Sequence, residues 1–434
     1  MLRSKLIRQV AFWGLDFLKG RRVGRQLREL EKGFSDPQSM RQLSQRRLKD
    51  FLDHACRTTR YYASFGGAAK LQDFPVIQKS DIRERYEDFF ADGYDRDSLV
   101  AVTTSGSTGT PFTFYLTKEK KARQWAEVIF TNRWVGYDVG VRHVFVRAIK
   151  TKSPLKLFLQ NEVLMDPSSL DASWLEQQRQ ILRSNKIRFI TGYCSSIGEI
   201  AEYCLNQGDR PEDFSVEGIV PGAEALQEKD RDNLEKVFGC KISVRYSTEE
   251  LGVLAQQRPR ELQYLVNNIS YVIEIMDLEE DKPVEYGNLG RIVVTDFFSH
   301  AMPLIRYDTG DLGVMKPNPQ GEEFPSLLDS IQGRKIEMIY NASGEKMSPF
   351  AVNISMRDQK KVKQFQFIQK GPGEYIFKLV VQPSFSEESI IRERLMEVLG
   401  DNARLKIEYV SSIPTLPSGK RQYIINEMNQ AQSR

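Results

Sequence analysis

The chain is poor in the residues that build metal centres and disulfide frameworks. It has only four cysteines, Cys56, Cys194, Cys204 and Cys240, and three histidines, at positions 54, 143 and 300. No C-x-x-C pair and no zinc-site spacing exists among them, which points to reduced thiols in a cytosolic protein. Excess charge of one sign is nearly missing: 62 Lys and Arg against 58 Asp and Glu leave +4. That is too little to make nucleic acid a main partner. No apolar run approaches the roughly 18–20 residues a spanning helix requires. The N-terminal stretch is broken by Arg8, Asp16 and Lys19 and lacks a small-residue cleavage site, so it does not read as a secretory signal. Internal repeats and low-complexity segments are missing too. What is present, 40% apolar and 28% charged residues over 434 positions, suits a soluble globular chain of two or three domains.

In the first thirty residues, Leu6, Val10, Trp13 and Phe17 recur every three to four positions and predict a helix with one apolar face. Arg3, Lys5, Arg8, Lys19, Arg21, Arg22, Arg25 and Arg28 make the segment basic. Such a helix either caps the core of its own domain or lies on an anionic membrane surface at the cytoplasmic face. Further helices are expected through SMRQLSQRRLKDFLDHACRTTRYYASF, giving a largely helical region 1–95.

From residue 96 a different rhythm begins. A β-rich run at 99–103 leads into a Gly/Ser/Thr loop and the strand-like FTFYLT, and a helix follows from Lys118 with Ala122, Trp125, Ala126, Ile129 and Phe130 on one face. Strand–helix alternation continues through KIRFITGY, a helix at 196–206, GIVPG, a helix at 227–238 and KISVRYS, which predicts a mostly parallel, covered sheet. LQYLVNN, SYVIEIMDL and GRIVVTDF are β-rich. A boundary is expected near Gly333. Beyond it, two strands joined by Gly-Pro-Gly, a helix from Ser386 stopping at Gly400, and the strand RLKIEYV predict a small α+β unit, residues 333–434.

Five segments carry candidate chemistry. Ser105, Gly106, Ser107, Thr108, Gly109 and Thr110 offer backbone N–H groups and hydroxyls without bulk, suited to cradling phosphates. The spacing and the missing lysine exclude a Walker loop and disfavour a nucleotide kinase. The second segment is Gly222-Ala223-Glu224, at a strand-to-helix turn. The third is Arg245-Tyr246-Ser247-Thr248-Glu249-Glu250, in which one carboxylate suits a hard cation bridging phosphates. The fourth is Asp311 in IRYDTGD, followed 22 residues on by Gly333-Arg334; a carboxylate after a tight turn can accept from two hydroxyls. The last is Lys420 in PTLPSGK, a flexible point charge.

In this order and at these separations the segments resemble the adenylate-forming enzymes, in their phenylacetate-CoA-ligase-like branch that includes members of capsular polysaccharide pathways. The resemblance spans about residues 95–425. It implies an α/β fold with a large N-terminal domain of mixed sheets and helices, whose core is 96–332, and a mobile α+β lid at 333–434. It implies activation of a small carboxylic acid with ATP and Mg²⁺ to an acyl-adenylate, then transfer to coenzyme A. The glycine loop would hold the pyrophosphate; where the family usually has Gly-Lys-Pro this chain has Gly109-Thr110-Pro111, leaving positive charge to Mg²⁺ or another group. Gly222–Glu224 would line the adenine, with Tyr246 and Thr248 beside it. Asp311 would take the ribose together with Arg334. Glu250, or Glu249 if the register shifts by one, would bind the metal. Lys420 would bridge the substrate carboxylate and the α-phosphate. Glu337 stands where the family has an acid near the hinge, and Arg306 either pairs with phosphate or is structural. Tyr193, Ser195 and Ser196 either edge the acid pocket or end a strand. Two alternatives remain: acyl transfer to an amine or carrier in cell-surface polysaccharide assembly, and a non-catalytic membrane-surface scaffold.

Overall fold

The computed structural model describes residues 2–66, 70–104, 112–148, 152–167, 170–184, 186–318, 326–347, 351–352, 355–356, 359, 361–416 and 421–428. Three helices open the chain, Leu2–Leu18, Arg22–Phe34 and Pro37–Thr58. The third starts where its sequence dictates: Asp36 caps it by accepting from the Ser39 N–H at 2.7 Å, and Pro37 occupies the first turn, where no donor is needed.

One large mixed sheet organises the body. Its strand order is Tyr271–Met276, Leu289–Asp296, Tyr307–Lys316, Leu327–Arg334, Tyr264–Val266, Gly252–Gln257, Arg245–Thr248, Gly218–Gly222, Phe189–Tyr193, His143–Val146, Glu162–Met165. The segment expected to be mostly parallel is so only from Glu162–Met165 to Gly218–Gly222, with Arg245–Thr248 joined in parallel through one pair, Gly222 and Arg245. From Arg245–Thr248 outward the strands pair antiparallel. The expected single strand KISVRYS is two, Lys241–Ile242 and Arg245–Thr248. The crossover helices Ala172–Ser184, Cys194–Asn206 and Glu228–Phe238 cover the parallel half, burying Leu175, Leu182, Ile197, Ile200, Leu234 and Val237 against Val144, Ile190 and Ile219. A second core under the antiparallel half joins Phe51, Tyr62, Phe74 and Phe89 to Ile292, Val294, Ile305 and Tyr307.

The helix Lys118–Asn132 lies against this second half on a polar face. Lys120, Arg123, Gln124 and Glu127 fall at i, i+3, i+4 and i+7, and all are buried. Lys120 Nζ pairs with Asp296 at 2.6 Å, and Arg123 Nε donates to Ser270 Oγ at 2.9 Å. Buried charge is tolerated here because each group has a partner.

Past Ile339 the chain builds a separate four-stranded sheet, ordered Arg404–Tyr409, Glu374–Val381, Val362–Gly371, Ile424–Asn426, with the helix Glu388–Leu399 packed on it. It has its own core, including Phe367, Phe377, Leu379, Ile391 and Leu395. The terminal strand runs parallel to Val362–Gly371, so the segment just before it is carried back toward the large sheet.

In the first helix the expectation of a core-capping face is met by Trp13 alone. Phe12 and Trp13 pack on a cluster with Leu27, Leu30 and Ile129, whereas Leu6, Val10 and Phe17 are exposed.

Candidate active site

A cleft of about 2480 Å³ runs across the C-terminal ends of the parallel strands and between the large sheet and the C-terminal unit. That is where open α/β sheets bind ligands, because strand order diverges there and helix N-termini face the gap. Gly222, Ala223, Glu224, Tyr246, Thr248, Glu249, Glu250, Asp311 and Arg334 all line it. Separate sequence segments therefore meet in one place. Ser105–Thr110 and Lys420 lie outside the described residues.

At one end Tyr246 and Asp311 meet across the sheet. Tyr246 Oη donates to Asp311 Oδ2 at 2.9 Å, and the Asp311 N–H donates to Thr309 Oγ1 at 3.2 Å. Burial, then the Asp311 charge, pushes the Tyr246 phenol well above its ordinary range, so it stays protonated as a donor. Arg334 is opposite Asp311 in the ladder, its Nε 3.7 Å from Oδ1. Before Asp311 the strand Tyr307–Lys316 is irregular in register, and Gly310 there takes a φ of 77°, in the left-handed region. A carboxylate oxygen accepts more than one donor, so Asp311 presents acceptor capacity to the cleft it lines.

The two adjacent glutamates go different ways. Glu250 is buried, accepts from Tyr307 Oη at 3.1 Å, and lies 3.8 Å from Lys79 Nζ. Glu249 is half-exposed and pairs with Arg147. Thr248 Oγ1 accepts the Leu251 N–H at 3.2 Å, closing the turn between them. Burial, reinforced by Glu250, holds the Tyr307 phenol well above its ordinary range. Lys79, at the first turn of the helix Lys79–Glu84, had no motif to announce it. Its place emerges only when the N-terminal segment folds over the antiparallel sheet.

The parallel side supplies a backbone corner. The strand Gly218–Gly222 ends in Ala223 at φ 67°, a left-handed conformation that an L-residue adopts only when its surroundings hold it. Glu224 Oε2 accepts the Ser195 N–H at 3.0 Å in the first turn of the helix Cys194–Asn206, where open N–H groups favour a carboxylate. Tyr193 and Ser195 line the cleft, while Ser196 is fully buried behind it.

The C-terminal unit reaches into this corner. The Arg421 N–H donates to Glu224 Oε1 at 2.7 Å, and Arg421 Nη2 pairs with Glu199 at 2.7 Å. Lys229 Nζ donates to Val362 O at 3.2 Å, and Gln364 Nε2 to Glu199 at 3.4 Å. Sequence reasoning missed Arg421, whose only signal was adjacency to Lys420. Beside these contacts, burial pushes Asp230 up to about 7; Glu199 and Glu202 add to the rise while Lys229 and Arg421 oppose it.

Two residues named from the sequence have structural partners. Arg306 is buried, with Nε 3.1 Å from Glu274 and Nη1 donating to Phe74 O at 2.8 Å, which resolves it as structural. Glu337 Oε2 accepts the Arg334 N–H at 3.2 Å, and burial raises its pKa.

Comparison with known proteins places the chain. The family of the CapK C-terminal domain matches residues 339–427. The protein CapK of Staphylococcus aureus is 24% identical over 96% of this chain and 96% of its own length. The phenylacetate-coenzyme A ligase of Thermus thermophilus is 26% identical over 63% of this chain and 65% of that enzyme. Among solved structures, 2-hydroxyisobutyryl-CoA ligase in the postadenylation state, in complex with R3-HIB-AMP, superposes with a TM-score of 0.70 at 17% identity, covering 89% and 90% of the two chains. The same ligase in its thioesterification state superposes at 0.54, with 19% identity over 91% and 92%. The chain is thus a homologue of CapK along nearly its whole length, related in sequence to the phenylacetate-CoA ligases, and it carries the fold of the adenylate-forming CoA ligases.

Proposed function

We propose that the protein activates a carboxylic acid with ATP and passes the acyl group to coenzyme A. A carboxylate oxygen attacks the α-phosphorus, the bond to the bridging oxygen breaks, and pyrophosphate leaves with that electron pair. The CoA thiol then attacks the carbonyl of the mixed anhydride, losing its proton, and AMP departs.

The observation that carries this reading is the meeting of Tyr246–Asp311, Glu250, Gly222–Glu224 and the docked C-terminal unit around one cleft. Asp311, with Tyr246 fixing one oxygen, accepts from the ribose hydroxyls, and Arg334 flanks it. Gly222–Glu224 faces the adenine, beside Tyr246 and Thr248. Ser105–Thr110 wraps the phosphates. Residues 333–434 act as the lid, and Lys420 stabilises the charge that develops on the α-phosphate. The C-terminal unit's contacts with Glu199 and Glu224 suit the adenylation half-reaction, and the higher TM-score to the postadenylation state supports that assignment.

The donor set also fits Mg²⁺. Glu250 is one buried carboxylate, and among the described residues no group of three His, Cys, Asp or Glu is placed to hold a metal ion by itself. That suits an ion bound through one protein carboxylate and substrate phosphates, rather than an all-protein cage. Glu250 is the better ligand than Glu249, which is engaged with Arg147 at the rim. Mg²⁺ would neutralise charge on the departing pyrophosphate. Lys79, close to Glu250, supplies a cation that the glycine loop lacks. Use of ATP and CoA fits work in the cytoplasm.

A second reading keeps adenylation and gives the acyl group to an amine or carrier in cell-surface polysaccharide assembly. It is favoured by the full-length likeness to CapK, against a match to the Thermus phenylacetate ligase that covers 63% of the chain. Pyrophosphate–ATP exchange across aryl, fatty, amino and sugar acids tests the shared first step. Acid-dependent exchange is expected for at least one class, and its absence for all of them favours a non-catalytic scaffold. Trapping the product with CoA or with amines separates the two acceptors.

A further inference from the structure

Exposed apolar side chains are concentrated in one region. Fifteen large ones are exposed among the described residues, and nine belong to two helices, Leu2–Leu18 and Pro154–Gln160. Six are on the first helix, including Leu6, Ile7, Val10, Phe17 and Leu18, at 50–79% exposure. Leu155, Phe158 and Leu159 on the second are 44–67% exposed. The helices touch: Arg8 Nε donates to Phe158 O at 2.9 Å, and the Arg8 guanidinium lies 4.7 Å from the Phe158 ring centre. The two helices therefore adjoin at Arg8 and Phe158. Isolated exposed leucines need no explanation, but a patch of this kind marks an interaction site.

The charge around the patch identifies its partner. Residues 1–30 hold eight Lys and Arg against Asp16 and Glu29, a net +6, so the rest of the chain is slightly acidic overall. Asp16 is buried and accepts the N–H groups of Val23 and Gly24, so it does not offset the surface charge. The Arg21 guanidinium lies over the Phe17 ring, 4.5 Å from its centre, which sets a cation directly against the apolar side chains. Lys156 extends the basic rim on the second helix. A second copy of the chain would bring +6 against +6. An anionic lipid surface offers acyl chains for the patch and negative headgroups for its rim. No described helix is long and apolar enough to cross a membrane, so contact is peripheral.

We propose that these two helices form one docking face for an anionic bilayer. Arg8, Ala11, Leu15 and Leu159 of the same two helices also line the cleft, so docking brings that part of the cleft close to the lipid headgroups. The proposal does not rest on the adenylation reading, and either can fail alone.

The test is co-sedimentation of the full chain with phosphatidylcholine vesicles, with and without phosphatidylglycerol. Binding is expected only with the anionic lipid and should weaken with salt. Replacing Leu6, Val10 and Phe17 by Gln should lower the partition coefficient at least about tenfold while leaving circular dichroism and pyrophosphate exchange unchanged. Leu155→Gln with Phe158→Gln, on the other helix, should weaken it in the same direction. Arg21→Gln with Arg22→Gln should weaken the lipid-charge preference. Failure of the unaltered chain to pellet with anionic vesicles overturns the proposal, as does binding that survives both apolar variants. A dimer in solution that the apolar variants dissolve, without vesicle binding, assigns the face to a second copy and overturns it equally.

Discussion

Arg421→Ala tests whether docking of the C-terminal unit governs the first half-reaction. The Arg421 side chain is 8% exposed and its partner Glu199 24% exposed, at 2.7 Å. The pair thus lies between a surface ion pair, worth about 0–1 kcal/mol, and a buried one, whose truncation costs about 3–5 kcal/mol. A loss of about 2 kcal/mol is expected, about thirtyfold in the equilibrium between docked and undocked arrangements. The backbone N–H of residue 421 still reaches Glu224 in the variant, so only the side-chain contribution is removed. Pyrophosphate exchange should slow by up to about thirtyfold, whereas CoA transfer from supplied acyl-adenylate should stay near the unaltered rate. Glu199→Gln should produce a similar defect, and the double variant should be little worse than either single one, because the two side chains form one interaction. Equal slowing of both half-reactions, or additive defects, would refute the reasoning.

Asp311→Asn replaces the acceptor with a group that offers one oxygen. ATP affinity measured by calorimetry should fall at least about tenfold, consistent with loss of charge-assisted hydrogen bonds worth about 1.5–3 kcal/mol, and unchanged affinity would remove Asp311 from the ribose role. Glu250→Gln should raise the Mg²⁺ concentration needed for half-maximal exchange, and Glu249→Gln should leave it nearly unchanged; the reverse result would exchange their roles. Asp230→Asn should change stability with pH. Asp230 holds its proton up to about 7 in the folded chain against the usual 3.8, so the folded state binds more protons between these values and loses stability as pH rises through that window. The variant should therefore be more stable than the unaltered chain at pH 8, by up to about 4 kcal/mol, and the difference should vanish near pH 4. A constant difference across pH would contradict this.

Local pattern carried much of the fold. GIVPG, KIRFITGY and the helices between them were legible because strand and helix periodicities alternate there without interruption. The helix Lys118–Asn132 was legible as a helix but not in its environment. Lys120, Arg123 and Glu127 lie off the apolar face that marked the helix, and Asp296, Ser270 and Tyr271, more than 140 residues away, give them buried partners. The joining of parallel and antiparallel strands into one sheet was equally hidden, since strand pairing is set by tertiary register.

The site shows the same division. Asp311 and Tyr246 stood out through their neighbours, and they prove to touch. Glu249 and Glu250 part at the turn closed by Thr248, with Glu250 buried and Glu249 at the rim, and no local pattern showed which would be buried. Lys79 and Arg421 carry no motif, and their positions follow from how distant segments pack.

A single-turnover reaction with α-labelled ATP, an acid found active in exchange, and no acceptor tests the central claim most directly. The account predicts acyl-adenylate and pyrophosphate, with AMP released only after CoA or an amine is added, and strongly slowed adenylate formation by Lys420→Ala. Formation of ADP and phosphate, or normal adenylate formation by the Lys420→Ala variant, would contradict it.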